Sequence, residues 1–297
     1  MLDFDDIDAW GPMLSLVLSP VVGESTLSIV TASSPKFVED ARAQLLSAGP
    51  RDRIIDAVLE WLSSSAVAMY HGTRVTEAEE SSIRAHGLRP LSAPSRGHRL
   101  ERALSRHPKW PEVRDKLSSA LSRFGRGNGA GGREGQVHFT LSRAGLCRGF
   151  NHYLTHGSEF DQHVAHSLLG QEGVELLAND GNPILIKVAI PGSEVIAGAH
   201  RYFSADDLRS KGDLPNVVRD FLQAWAYRLS HPTFQSETLR VDSGAVFRET
   251  IPASSVVSIE RLILGSIPNN PMDFTIRKDV PNAPATVVVE PKSGTFE

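Results

Sequence analysis

Apolar and polar positions are arranged along this chain in three distinct ways, which imply strands or helices. Two predominantly apolar runs, Met13 to Val22 and Leu27 to Ala32, read as strand-like. Phe37, Ala41 and Leu45, then Ile54, Ile55, Val58, Leu59 and Leu62, recur at the three- and four-residue spacing of helices on either side of the breaker Gly49-Pro50. Residues 1–64 are therefore expected to form a small N-terminal α/β unit, joined through Ser63-Ser64-Ser65 to residues 65–297. In that larger part the apolar runs are short and separated by turn-rich or helical stretches. Strands are expected at Val67 to Tyr70, Gln136 to Leu141, Pro183 to Ala189, Thr238 to Val241, Ala245 to Thr250 and Ser258 to Leu264, with a last one at Ala285 to Val289.

Capping signals sharpen one helix. Thr76 followed three residues later by Glu79 is a capping box, and Gly87-Leu88 reads as a helix end, so Val75 to His86 is expected to be helical. Val113, Leu117, Leu121 and Phe124 give a helical middle to a long stretch, 94–135, whose glycine run Gly125 to Gly132 reads as a loop. No Gly-x-Gly-x-x-Gly follows a strand, so a dehydrogenase-type dinucleotide site is not supported.

Composition excludes several classes. With 297 residues, 40% of them hydrophobic, the chain can bury a sizeable core in one large domain or two smaller ones. The apolar run Met13 to Val22 is too short to span a bilayer, and the N-terminus is acidic where a signal peptide is basic, so no membrane segment and a cytoplasmic location are expected. The single cysteine, Cys147, forms no internal disulfide, and no Cys/His spacing suggests zinc; no metal is expected. Between Arg96 and Arg133, ten basic residues face three acidic ones, an excess of +7 in a chain of −4. Such a segment is either a solvated helical face or a contact for an anionic partner such as nucleic acid.

One constellation carries chemistry. A strand leading into His71-Gly72-Thr73 and then a capped helix puts an imidazole at the mouth of a sheet, beside a glycine whose backbone a ligand can approach. Tyr70-His71-Gly72-Thr73-Arg74, Ser82-Ile83 and Gly87-Leu88 together resemble the first NAD-binding motif of the diphtheria-toxin and poly(ADP-ribose) polymerase group of ADP-ribosyltransferases. The resemblance implies NAD⁺ as co-substrate, His71 on a ribose hydroxyl and the Gly72 backbone on the nicotinamide carboxamide. It also implies an α+β fold: a mixed split β-sheet with flanking helices, carrying the segment 94–135 as a basic insertion.

Weaker likenesses extend it. Gln136-Val137-His138-Phe139-Thr140, with Ser142 following, resembles the strand where polymerase-type members carry a tyrosine against the nicotinamide ring. Here that position is His138, which looks more like the RNA 2′-phosphotransferases of the same superfamily, and Tyr153 is available to supply an aromatic face. Asn182 to Val188 resembles the fold's central strand. For the glutamate that polarises the nicotinamide ribose in polymerase-type members, Glu249 in Phe247-Arg248-Glu249-Thr250 is the first choice. Glu237 in Gln235-Ser236-Glu237, like the Gln-x-Glu of arginine-modifying toxins, is the second. The pyrophosphate requires cationic or backbone donors, and Arg74 is the nearest candidate along the chain.

The chemistry demands few groups. Nicotinamide is already a good leaving group, and a nearby carboxylate stabilises the oxocarbenium-like transition state electrostatically. The expected function is NAD-dependent mono-ADP-ribosyl transfer to a nucleic acid or protein, in the manner of a bacterial-type toxin or effector, with Arg96 to Arg133 contacting the acceptor. The alternatives are an NAD-dependent RNA 2′-phosphotransferase and a non-catalytic module that binds ADP-ribose or nucleic acid.

Overall fold

The computed structural model describes residues 1–124, 134–148, 152–199, 215–239, 241, 243–264, 274–277 and 286–291. It is an α+β protein. Its strands are β1 (Ala66–Val75), β2 (Val137–Thr140), β3 (Asn182–Pro191), β4 (Gly244–Phe247), β5 (Val256–Leu264), β6 (Phe274–Arg277) and β7 (Thr286–Pro291). They lie in the order β4-β2-β1-β3-β5-β7-β6. Strands β3 and β5 pair antiparallel, with Ile184 opposite Arg261 and Ile186 opposite Ile259, whereas β5 and β7 run parallel, so the sheet is mixed. Among the described residues, no single helix is long and apolar enough to cross a membrane.

The chain divides into two compact units. The first comprises 1–70, 139–145 and 189–246. Its N-terminal part corrects the sequence reading: Ile7–Val22 (α1) and Glu24–Ala32 (α2) are helices, as are Val38–Ala48 (α3) and Arg51–Ser63 (α4). The small α/β unit expected over 1–64 is therefore helical, apart from a bridge between Leu2 and Val67. The reason lies in which apolar residues are buried. Ile7, Trp10, Leu14, Leu18 and Val22 form an inward stripe at helical spacing behind the Asp6 cap, while Met13 and Leu16 are solvent-exposed, Leu16 at 80%. Exposed apolar residues filled the gaps in the stripe and hid its period. Phe221, on a helix at Asn216–Ser230, meets Phe4, Trp10 and Trp61 edge-on with ring centroids 5.3, 4.9 and 5.6 Å away, which builds this unit's aromatic core.

The second unit comprises 71–138, 146–188 and 247–297. The capping box forms as expected: Thr76 Oγ1 accepts from the Glu79 amide at 3.3 Å, and Glu79 accepts from the Thr76 amide at 2.7 Å, starting α5 at Glu77–His86. Helix α6 (Ala93–Leu104), absent from the sequence reading, packs Leu100, Ala103 and Leu104 against Phe160, Val164 and Leu177 of a long helix at Glu159–Leu177 that is kinked at Gly170. The expected helical middle of 94–135 is realised as short helices at Trp110–Val113 and Leu117–Phe124, and the glycine run falls outside the described residues.

Two strand expectations change. Ser236–Thr238, at the start of the expected Thr238 to Val241 strand, is a 3-10 turn, anchored by a hydrogen bond from the Ser236 hydroxyl to the Phe4 carbonyl. Strand β4 ends at Phe247, so Arg248 and Glu249 stand in an exposed bend where Ala245 to Thr250 was expected to continue.

Candidate functional site

Strand β1 does not end at the His-Gly-Thr segment but runs through it to Val75. Alternation then sets the faces: His71 and Thr73 are half-buried, and Gly72 and Arg74 are buried between them. A Cβ on Gly72 would lie 2.9 Å from Leu146 Cδ2 and 3.0 Å from Leu154 Cδ2, so the strand presses closely on its neighbours there. Helix α5 stops at Gly87, whose φ of 80° is left-handed and whose added Cβ would lie 1.9 Å from the Ile251 carbonyl oxygen. That close approach lets Leu88 and Ile251 exchange two 2.9 Å hydrogen bonds and directs residues 88–91 along the side of a cleft.

The cleft lies wholly within the second unit and has a volume of about 210 Å³. Five of the expected site residues line it: His71, Gly72, Thr73, His138 and Tyr153. They come together from β1, β2 and the short helix at His152–His156.

Hydrogen bonding identifies one proton-bearing nitrogen on each imidazole. His71 Nδ1 lies 2.8 Å from the His138 carbonyl oxygen. A carbonyl only accepts, so Nδ1 carries the proton and Nε2 of the neutral ring is an acceptor. Burial lowers the His71 pKa below its usual 6.5, Arg96 adds to the lowering, and the bond to His138 opposes it. His138 Nε2 in turn lies 2.9 Å from Gln136 Oε1, to which it donates.

The remaining expected residues are engaged elsewhere. Arg74 is buried, donating to the carbonyls of Leu154 at 3.3 Å and Gly181 at 2.6 Å; burial and the neighbouring Arg99 lower its pKa to about 10. It therefore braces β1 rather than presenting a free guanidinium to a phosphate. In the first unit the Tyr70 hydroxyl donates to Asp3 at 2.6 Å, Phe139 is buried, Thr140 donates to the Ser142 carbonyl at 3.2 Å, and Ser142 donates to Asp5 at 2.6 Å. Glu237 also belongs to that unit and is exposed. Glu249 belongs to the second unit, two residues before Ile251 and its pairing with Leu88.

Of the basic insertion's arginines, Arg96 and Arg99 are turned inward, whereas Arg102 and Arg106 are exposed and reach back to acidic and carbonyl partners. Arg96 holds Asp161 through both carboxylate oxygens, one at 2.8 Å. Arg99, only 2% exposed, donates to the Arg74 carbonyl and stands 3.6–3.7 Å from Glu79, Asp161 and Asp180. Arg102 makes a two-pronged contact with Asp180 at 2.8 and 3.1 Å, and Arg106 reaches the Asn179 carbonyl at 3.2 Å. Arg96 and Arg99 thus belong to a largely buried charge network, whereas Arg102, Arg106, Lys109, Arg114, Lys116 and Arg123 are exposed, in keeping with the solvated face expected of the segment. Arg126 and Arg133 fall outside the described residues.

Sequence reading missed two groups that line the cleft. Arg89 is exposed and forms no ion pair among the described residues. Glu159 accepts from the Tyr153 hydroxyl at 2.7 Å and lies 3.5 Å from His152 Nε2. The available signal was Ser158, whose side chain caps the Asp161 amide and so puts Glu159 in a first helical turn. Among the described residues, no cluster of three or more His, Cys, Asp or Glu is arranged to hold a metal. Comparison with protein-family models, curated proteins and solved structures finds no match.

Proposed function

We propose that the second unit binds NAD⁺ in the His71 cleft and transfers its ADP-ribosyl group to a macromolecular acceptor. One observation carries the reading: a neutral imidazole of forced tautomer, a glycine, a second histidine and a tyrosine all line one cleft. His71 Nε2, as an acceptor, suits a ribose hydroxyl, and the backbone of Gly72 suits a carboxamide. Tyr153 offers an aromatic surface for a flat ring. Arg89 takes over from Arg74 as the candidate for the pyrophosphate, since its guanidinium is exposed and lines the cleft whereas that of Arg74 is bonded to carbonyls. NAD⁺ itself supplies the leaving group; the chain's part is to hold the ribose and the ring and to limit water at the bond that breaks.

The acceptor is a protein or a nucleic acid, and a cytoplasmic effector role fits either. RNA 2′-phosphotransfer is the second reading, favoured by His138 in the cleft and by a β4 that ends before Glu249. Incubation with NAD⁺ labelled on its adenylate, against separate pools of RNA, DNA and protein, tests both. Label in one pool together with free nicotinamide identifies transfer and its acceptor. Loss of phosphate from a 2′-phosphorylated RNA identifies the second reading, and no nicotinamide release at all overturns both.

A further inference from the structure

We infer that Arg96 is this cleft's fixed phosphate contact: Asp161 grips two of its guanidinium nitrogens and leaves Nη1 to join Arg89 on the pyrophosphate of a dinucleotide, whose identity rests on the NAD⁺ reading above. An arginine carries five N–H donors on three nitrogens. In Arg96, Nε donates to one carboxylate oxygen of Asp161 at 2.8 Å and Nη2 donates to the other. The Asp161 side chain is fully buried, so this fork is held in one orientation. Nη1, with two donors, makes no hydrogen bond among the described residues, yet it is not sealed from water as Nε of Arg74 and Nε of Arg99 are. Arg96 lines the cleft with 18% of its side chain exposed. A ligand oxygen that reaches Nη1 therefore displaces water and breaks no bond of the protein.

The chain that carries the two arginines is tied down. Leu88 is bonded twice to Ile251, and Leu91 donates to the Gln136 carbonyl at 3.1 Å and accepts from the Gly135 amide at 2.7 Å. Arg89 stands between these anchors, and Arg96 follows them at the start of α6. Their contributions differ. Arg89 is exposed and brings net positive charge, whereas the charge of Arg96 is offset by Asp161 and its contribution is a pair of donors already in position. The carboxylate that lines the cleft, Glu159, is engaged by the Tyr153 hydroxyl at 2.7 Å and stands 3.5 Å from His152.

The test is equilibrium binding to the full chain of inorganic pyrophosphate, of NAD⁺ and of nicotinamide riboside, which has ring and ribose but no phosphate. The parent is compared with Arg96→Lys and with the double variant Arg96→Met, Asp161→Asn, each checked for folding by thermal melting. Lysine keeps a cation beside Asp161 but has one nitrogen in place of three. The double variant removes one charge of each sign, so the net charge of the cleft stays as it was and only the placed donors are lost. Both variants should bind pyrophosphate and NAD⁺ about tenfold more weakly, the fold-change of one charge-assisted hydrogen bond, and nicotinamide riboside as the parent does. Parent-like affinity for pyrophosphate in the folded double variant overturns the role of Arg96 and leaves the NAD⁺ reading standing. An equal loss for nicotinamide riboside, or no pyrophosphate binding by the parent, overturns it as well. A parent that binds pyrophosphate through Arg96 but releases no nicotinamide from NAD⁺ keeps the phosphate contact and overturns the NAD⁺ reading instead.

Discussion

The imidazole of His71 and the main-chain carbonyl of His138 are 2.8 Å apart, and this bond decides which ring nitrogen of His71 is an acceptor. Replacing His71 with Ala removes an orienting contact while β1, pinned by Arg74, stays in place. Nicotinamide release should fall by roughly 10²-fold or more, with little change in the melting temperature. Wild-type release from a folded variant removes His71 from the site.

The same bond gives a pH prediction. A folded-state pKa below 6.5 means that the neutral ring persists at pH 7 and that protonation sets in only at lower pH. Activity that needs a neutral Nε2 should be level above pH 6.5 and decline as pH falls through the depressed value. The stability contribution has the same sign: fully present above 6.5, it is lost below, because the unfolded chain takes up the proton first. A rate profile with its acid limb above pH 6.5 contradicts this assignment of the titrating group.

Glu249 and Glu237 belong to different units. Glu237 sits on a 3-10 turn of the first unit, whereas Glu249 is two residues from the Leu88–Ile251 pair beside the cleft. Transfer assays on Glu249→Gln and Glu237→Gln should show a large loss for the first and less than about a twofold change for the second. The reverse order contradicts the motif register; if both variants are fully active, Glu159 is left as the carboxylate of the cleft.

How far the sequence reveals this arrangement depends on the range over which each signal acts. The Thr76–Glu79 capping box and the Gly87 stop are contacts within a few residues, so α5 and the approach to Leu88 were legible. His71, Gly72 and Thr73 adjoin in the chain, and His138 and Tyr153 stood out by residue type; all five line the cleft. Helices α1 and α2 were misread because exposed Met13, Leu16 and Ile29 made amphipathic helices look uniformly apolar. The inward arginines of α6, Arg96 and Arg99, escaped notice for a different reason. Their carboxylate partners Asp161 and Asp180 lie 65 to 81 residues further along, and no local pattern shows a charge matched at that separation.

Gly87 tests the cleft's wall directly. In Gly87→Ala the new methyl would overlap the Ile251 carbonyl at 1.9 Å, and a φ of 80° is unfavourable for any residue with a Cβ. The backbone must shift, parting Leu88 from Ile251. Destabilisation should exceed the ~1 kcal/mol typical of a strained left-handed position alone, and ligand affinity should drop with it. An unchanged melting temperature contradicts this close approach.

The last prediction concerns what the basic segment does. Arg99 lies against the carboxylates of Glu79, Asp161 and Asp180 with 2% of its surface exposed, so Arg99→Ala would leave two buried carboxylates short of a cation. Asp161 and Asp180 keep Arg96 and Arg102 as partners, so the loss is on the order of 1–3 kcal/mol, below that of a buried charge left with no partner. Arg102 and Arg106 have side chains nearly half exposed, and solvent screening makes their replacement much milder. The group also has a pH signature. Burial raises the Asp180 pKa, but the Arg102 hydrogen bond and the charges of Arg99, Arg102 and Arg106 outweigh it and hold the pKa below 3.8. The resulting stability is present above pH 3.8 and is lost as pH falls through the depressed value, when the native carboxylate takes up its proton. Thermal melts of parent and Arg99→Ala from pH 7 down to about pH 2 should therefore converge at the acid end. Nucleic-acid binding should behave differently: if these arginines met phosphates, the Arg99, Arg102, Arg106 triple alanine variant would lose salt sensitivity in proportion to the phosphates released. The expected outcome is a lower melting temperature with an unchanged salt slope; a flattened slope in a variant as stable as the parent would return these arginines to the acceptor surface.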